Sequence, residues 1–63
     1  MFKGTVKFFD ESKGFGFITE EATQKQVFVH QSGLLEKVRE GDRVTFETRR
    51  GKKGITAVSV KRQ

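Results

Sequence analysis

Two short stretches of the sequence place aromatic rings at every second position. Phe15 and Phe17 stand in "KGFGFI", and Phe28 and His30 stand in "VFVH". Residues two apart point to the same side of a β-strand, so each pair presents its rings on one face. Flat rings stack on other flat rings, and lysines beside them attract anions. The spacing therefore indicates a binding surface rather than bond-making chemistry.

The sequence offers little for catalysis. His30 is the only histidine, cysteine is absent, and no serine stands in a nucleophile-elbow context. Asp10 and Glu11 are adjacent, which is poor geometry for two carboxylates acting on one bond. One histidine with scattered carboxylates is also a poor metal site. We expect neither an enzyme nor a bound cofactor, metal or small-molecule substrate.

The composition is that of a small basic protein. Its 63 residues include 13 Lys and Arg against 8 Asp and Glu, a formal charge of +5 that favours an anionic partner. We expect one domain, residues 1–63, whose core is held without disulfides. No apolar run has the length of a membrane span or a signal peptide. We therefore expect a cytoplasmic protein that does not enter a membrane.

Stretches of alternating apolar residues predict five β-strands. They cover residues 2–9, 14–19, 26–30, 43–50 and 55–61. The segment "DESK" suits a tight hairpin between the first two strands, and "GKKG" predicts a glycine-bounded turn between the last two. Gly33 and Gly41 interrupt the long central connection, so we expect at most one short helical turn within residues 31–40.

Five short strands in so small a chain predict a closed barrel, because closure removes unpaired strand edges. The fold class that fits best is all-β: a small five-stranded antiparallel Greek-key β-barrel of the OB type. An SH3-like barrel is the structural alternative. Strand count and loop lengths do not separate the two.

A consistent choice of faces puts aliphatic residues inside the barrel. The residues with this predicted position are Val6, Ile18, Val27, Val29, Val44 and Phe46. If Ile18 points inward, Phe15 and Phe17 point outward, and the valines of the third strand turn Phe28 and His30 outward in the same way. The opposite choice would bury the two phenylalanines and expose Ile18.

The adjacent Phe8 and Phe9 cannot both point inward in a regular strand. A β-bulge that keeps Phe9 inside exposes Phe8 beside Lys7 as a fifth outward ring. Unpaired nucleic-acid bases stack on such rings for about 1–3 kcal/mol per base, while Lys7 and Lys13 would contact phosphates. Because a duplex hides its base faces, we expect single strands as the partner.

These motifs resemble those of the bacterial cold-shock proteins. "KGFGFI" (13–18) and "VFVH" (27–30) look like the two ribonucleoprotein-type motifs of that family, and "GTVKFF" (4–9) resembles its first strand. The likeness extends over essentially the whole chain, including "EGDRVTFE" (40–47). It implies an OB-type barrel that binds single-stranded RNA and DNA with low sequence specificity and acts as an RNA chaperone.

The resemblance also implies which residues contact nucleic acid. They are Lys7, Phe8, Lys13, Phe15, Phe17, Phe28 and His30, and we add Lys53 from the basic turn that follows the fourth strand. Where the family commonly has tryptophan this chain has Phe8, and Gln31 stands where another aromatic is frequent. The short central connection also lacks an aromatic that many members carry.

Other interpretations stay open at the level of sequence. An aromatic patch on an SH3-like barrel would bind a peptide, although such grooves usually use Tyr and Trp, which this chain lacks. A basic OB domain would bind structured ribosomal RNA mainly by charge. The basic residues at 49–53 suit a solvated hairpin tip as well as phosphate contacts. We expect a monomer, with strand exchange between two chains as the alternative.

Overall fold

A computed structural model describes residues 1–51 and 54–63, and within them the chain forms five β-strands. The strands are β1 (Phe2–Asp10), β2 (Phe15–Glu20), β3 (Gln26–His30), β4 (Arg43–Gly51) and β5 (Gly54–Arg62). Each predicted strand is present and ends within one residue of its predicted bounds. The predicted turn between β4 and β5 includes residues 52 and 53, which lie outside the described residues.

The strands close into a barrel in the order β1-β2-β3-β5-β4. Four of the pairings are antiparallel, as predicted. The pairing of β3 with β5 is parallel and joins Phe28 to Thr56 and Val29 to Ala57. β3 and β5 run in the same direction as β1, because β1 is antiparallel to both β2 and β4 and these two strands are antiparallel to β3 and β5 respectively. The predicted five-stranded barrel is confirmed, with this one parallel pair as the difference.

All six residues predicted for the interior are buried. Val38, Ala57 and Val60 complete the core, and the sequence pattern does not single them out. Val38 lies in an irregular connection that has no strand period. In β5 the alternation breaks because Ser59 has a φ of 53° and lies, together with Val60, opposite Phe46. Such a bulge changes which residues point inward.

A β-bulge in β1 decides which rings of that strand point outward. The pairing with β2 shifts by one residue between Val6 and Phe8, so Lys7 is the extra residue. Phe9 then packs against the core, while Phe8 is 36% exposed. This is the arrangement that the sequence predicts for the two adjacent phenylalanines.

The central connection contains one 3-10 turn, Gln31–Gly33, which agrees with the predicted maximum of one helical turn. Leu34 then forms a parallel bridge with Val60 of β5, so the connection follows the last strand before it turns away. In the part of the chain that the structure describes, no helix is long and apolar enough to cross a membrane.

Candidate nucleic-acid interface

Four phenylalanine rings from three neighbouring strands form one continuous group on the outside of the barrel. Between ring centroids, Phe8 lies 5.6 Å from Phe17. Phe28 lies 5.8 Å from Phe17 and 5.8 Å from Phe15. The planes of Phe15 and Phe28 are stacked, whereas Phe17 meets Phe28 edge to face, and both geometries are favourable for aromatic pairs. We call these four residues the ring cluster.

The register of the strands holds the ring cluster together. Phe17 lies directly opposite Phe8 on one side and Phe28 on the other, and Phe15 lies opposite His30. Residues directly opposite each other share a face of the sheet, so a spacing of two along the sequence becomes a patch across three strands. Because the rings cover one another, Phe15, Phe17 and Phe28 are half-buried rather than fully exposed.

The residues between the rings exclude the alternative in which the phenylalanines point into the barrel and the aliphatic residues point outward. Ile18 and Val29 are fully buried, and they alternate with the rings along β2 and β3. Turning Phe15 and Phe17 inward would therefore expose the core residues of the same strands.

Gly16 separates the two phenylalanines of β2 because the barrel interior leaves no room for a side chain there. A Cβ at this position would lie 2.7 Å from Cα of Phe9 and closer still to the carbonyl oxygen of Phe8. Real Cβ atoms do not approach backbone atoms so closely. Gly16 thus allows the inward ring of Phe9 to pack beneath the outward rings.

The turn between β1 and β2 positions Lys13 and Phe15. Oδ1 of Asp10 accepts hydrogen bonds from the Ser12 hydroxyl at 2.7 Å, the Ser12 N–H at 3.0 Å and the Lys13 N–H at 3.2 Å. The Ser12 hydroxyl, followed by the Lys13 N–H, lowers the pKa of Asp10 because these donors favour the ionised carboxylate. Gly14, with a φ of 78°, completes the turn by donating its N–H to the Asp10 carbonyl.

His30 ends β3 at the edge of the ring cluster, and its side chain is exposed. Its Nδ1 accepts the backbone N–H of Ser32 at 3.1 Å and lies 2.9 Å from the Ser32 hydroxyl. A neutral imidazole that accepts through Nδ1 carries its proton on Nε2. The 3-10 turn therefore orients the ring and leaves the Nε2–H as the donor for a ligand.

The three predicted lysines differ in what the structure describes. Lys7 is the exposed bulge residue before Phe8, and Lys13 is exposed in the turn before Phe15. Neither forms an ion pair with a carboxylate among residues 1–51 and 54–63. Lys53 lies outside the described residues, so its contact with nucleic acid stays a prediction.

The topology adds two residues that sequence reasoning did not place beside the rings. Thr56 lies opposite Phe28 across the parallel pair, and Arg49 lies opposite Thr56 across the pairing of β4 with β5. The basic sequence around Arg49 suits a solvated hairpin tip as well as phosphate contacts, and it does not single out Thr56. No signal in the sequence shows that β5 lies next to β3, because that neighbourhood follows from closure of the barrel.

Comparison with known proteins identifies the family. Residues 2–63 match the 'Cold-shock' DNA-binding domain. The chain is 52% identical over 62 residues to Cold shock-like protein CspE of Escherichia coli (strain K12), a match that covers 92% of this chain and 90% of that protein. It is 43% identical over 65 residues to Cold shock-like protein CspA of Stigmatella aurantiaca (strain DW4/3-1), covering 97% and 96%.

The chain therefore belongs to the cold-shock domain family, a family of nucleic-acid-binding domains. Among solved structures it is similar to drosophila Unr CSD456, with a TM-score of 0.77 and 28% identity. The match covers 98% of this chain and 26% of that longer chain. Together, the family and this structural likeness confirm the OB-type barrel over the SH3-like alternative.

Proposed function

We propose that this chain binds single-stranded RNA and DNA by stacking unpaired bases on the ring cluster and His30. The observation that carries the proposal is the continuity of the ring cluster: four phenylalanines in mutual contact point outward while aliphatic residues of the same strands fill the core. Monomeric domains rarely expose a large contiguous apolar patch that has no binding role. Stacking accepts every base, so we expect low sequence specificity.

Charge supports the same ligand. The formal charge is +5, and Lys7 and Lys13 lie exposed at the two ends of the β1–β2 segment that carries Phe8 and Phe15. Lysines that neutralise phosphates release counterions, so affinity falls as salt rises, with a log-log slope of about −0.7 per phosphate on single strands. Binding therefore combines stacking on the rings with attraction of the backbone.

The proposed mechanism on RNA is passive. The sequence contains no G-x-x-x-x-G-K-[ST] loop for binding nucleotide phosphates, so the free energy for opening RNA comes from preferential binding to the unpaired state. Hairpins of marginal stability open first. The protein then acts as an RNA chaperone that disfavours secondary structure, with effects on transcription or translation as consequences.

The first test is a fluorescence-anisotropy titration with labelled heptathymidine, heptaadenine and a duplex of equal length, each at two salt concentrations. We expect salt-sensitive binding of both single strands and weak binding of the duplex. Equal or negligible binding to all three would contradict the proposal and direct the search to a peptide partner for the ring cluster.

A second test separates stacking from binding by charge alone. Replacing Phe15, Phe17 and Phe28 together with alanine removes three stacking surfaces and leaves every charge in place. We expect affinity for heptathymidine to fall by about 100-fold or more. Unchanged affinity in a folded triple variant would instead favour a basic domain that binds structured ribosomal RNA through its arginines.

Three further expectations complete the proposal. Residues 1–63 act as one binding domain, the protein is a monomer, and it works in the cytoplasm. Sedimentation of the free protein and of its complex with heptathymidine tests the monomer, because strand exchange between two chains would double the mass.

A further inference from the structure

The register that builds the ring cluster continues beyond β3. Phe8, Phe17 and Phe28 lie opposite one another on consecutive strands, followed by Thr56 on β5 and Arg49 on β4. One row of directly paired residues therefore crosses all five strands. Neighbouring strands are about 4.8 Å apart, so the backbone of Arg49 lies about 10 Å from that of Phe28, measured along the sheet.

A cleft of about 350 Å³ extends the surface in the same direction. Its lining includes His30 at the end of β3, Ser32 of the 3-10 turn that follows, Arg49 of β4, and Thr56 and Ser59 of β5. His30 also lies opposite Phe15, so the cleft begins next to the ring cluster. The hydroxyl groups supply neutral hydrogen-bonding partners along it.

The guanidinium group of Arg49 has no carboxylate partner within the described part of the protein. Arg49 is exposed and forms no ion pair with a carboxylate among residues 1–51 and 54–63. Glu47, the nearest acidic residue on the same strand, lies 3.6 Å from the amino terminus of Met1. A guanidinium group presents several N–H donors in a fixed fork that matches phosphate geometry. Arg49 is therefore suited to an external phosphate.

We propose that Arg49 is an additional phosphate-binding residue of this protein. A bound single-stranded nucleic acid leaves the ring cluster at His30 and enters the cleft across β5. There, one of its backbone phosphates contacts the guanidinium group of Arg49. The inference rests on the proposed function and extends it, because it makes the binding track longer than the rings. Arg49 then contributes only when the bound strand is long enough to reach it.

The neighbouring arginine provides a matched control. Arg50 is also exposed, belongs to the same hairpin and carries the same charge, but successive side chains of a strand point to opposite faces. Arg49→Ala and Arg50→Ala therefore change the net charge equally and differ only in which face they alter. Neither residue is in the core, and thermal unfolding of each variant verifies that it folds like the wild type.

The experiment compares labelled tetrathymidine with labelled nonathymidine at two salt concentrations. For Arg49→Ala we expect a loss of about three- to fivefold in affinity for nonathymidine, a salt slope shallower by about 0.7, and no change for tetrathymidine. Arg50→Ala leaves both oligonucleotides unaffected, and Arg49→Lys, which keeps the charge, retains most of the salt slope.

Different results would overturn the role of Arg49 and the proposed function. Equal losses in Arg49→Ala and Arg50→Ala would overturn the inference, since only net charge would then matter. An equal loss for both oligonucleotide lengths would overturn it as well, because Arg49 would then act at the ring cluster itself. If the wild-type protein binds neither oligonucleotide, the proposed function has failed and the inference fails with it.

Discussion

The β2–β3 and β4–β5 hairpins have similar inner faces and different outer faces. The first buries Ile18, Val27 and Val29 and turns three phenylalanines outward. The second buries a similar set of apolar residues, but its outward positions include Arg49 and Thr56. In both hairpins, the residues of the inner face are enough to fill the core.

The second hairpin shows that two strands of this barrel can pair without phenylalanines on their outer face. The β4–β5 hairpin has the longer ladder, with seven residue pairs against five, and it carries no phenylalanine on its outer face. Exposed phenylalanine side chains are costly in water, so their concentration on β1, β2 and β3 points to a ligand. The inner face specifies the fold, and we propose that the outer face specifies what is bound.

The largest expected effect comes from a glycine in the first hairpin. Gly16→Ala places a Cβ against the backbone of Phe8 and Phe9, and we expect a loss of about 3 kcal/mol in the free energy of unfolding. Gly51→Ala is the control in the second hairpin, because among residues 1–51 and 54–63 the nearest atom to a Cβ there would be the Gly54 carbonyl oxygen, at 3.9 Å. Urea unfolding measures both variants, and equal losses would contradict the packing described for Gly16.

The next effect tests whether position or aromatic character matters. Phe8 and Phe2 lie on the same strand and are 36% and 40% exposed, but only Phe8 belongs to the ring cluster. Phe8→Ala is expected to weaken heptathymidine binding by about tenfold, and Phe2→Ala to leave it unchanged. Anisotropy titrations compare the two variants. A similar loss in both would mean that bases do not prefer the ring cluster.

A smaller gain is expected when a ring is added to the second hairpin. Thr56 lies opposite Phe28, so Thr56→Phe extends the ring cluster by one strand and should raise affinity for heptathymidine by about fivefold. Thr48→Phe introduces the same ring on β4, where the partner of Thr48 is the buried Ala57 and not a member of the outer row. If the two substitutions raise affinity equally, the row of paired residues has no special role.

The smallest effect concerns the turn that carries Lys13. The pKa of Asp10 is lowered in the folded state, so its carboxylate stabilises the fold fully at any pH above the pKa of the unfolded chain. This stabilisation is lost below about pH 4, as the pH falls through the folded pKa. Asp10→Asn retains an acceptor and does not titrate. We expect the melting temperature of the wild type to decline more steeply than that of Asp10→Asn on acidification below pH 4. Parallel declines would show that Asp10 titrates as it does in the unfolded chain.

Local spacing predicts most of the fold and the centre of the candidate site. Alternation assigns Ile18 to the core and Phe17 to the surface, because a strand has only two faces. The adjacency of Phe8 and Phe9 predicts for the same reason that a bulge between Val6 and Phe9 turns Phe8 outward, and the structure has this bulge at Lys7. These assignments need no knowledge of which strands are neighbours.

Features that depend on neighbours far along the chain are not predictable in this way. The parallel pair of β3 with β5 follows from barrel closure, and it alone brings Thr56 and Arg49 into the outer row. The bulge at Ser59 has no glycine to mark it, although its φ is positive. Burial of Val38 likewise depends on where an irregular connection crosses the barrel.

The short parallel pairing affects where the barrel opens locally. Among the described residues, β3 and β5 are joined by two residue pairs, the shortest pairing in the barrel, and the nearby bridge to Val60 comes from Leu34 in the connection after β3. Amide protons beside a short non-local pairing exchange by local opening more readily than those in long hairpins. In the proposed complex, a nucleic-acid strand that runs from Phe28 to Arg49 crosses the outer side of the β3–β5 pairing. If nucleic acid binds as proposed, it holds β3 and β5 together where they separate most easily, and we expect bound nucleic acid to raise the resistance of the barrel to unfolding.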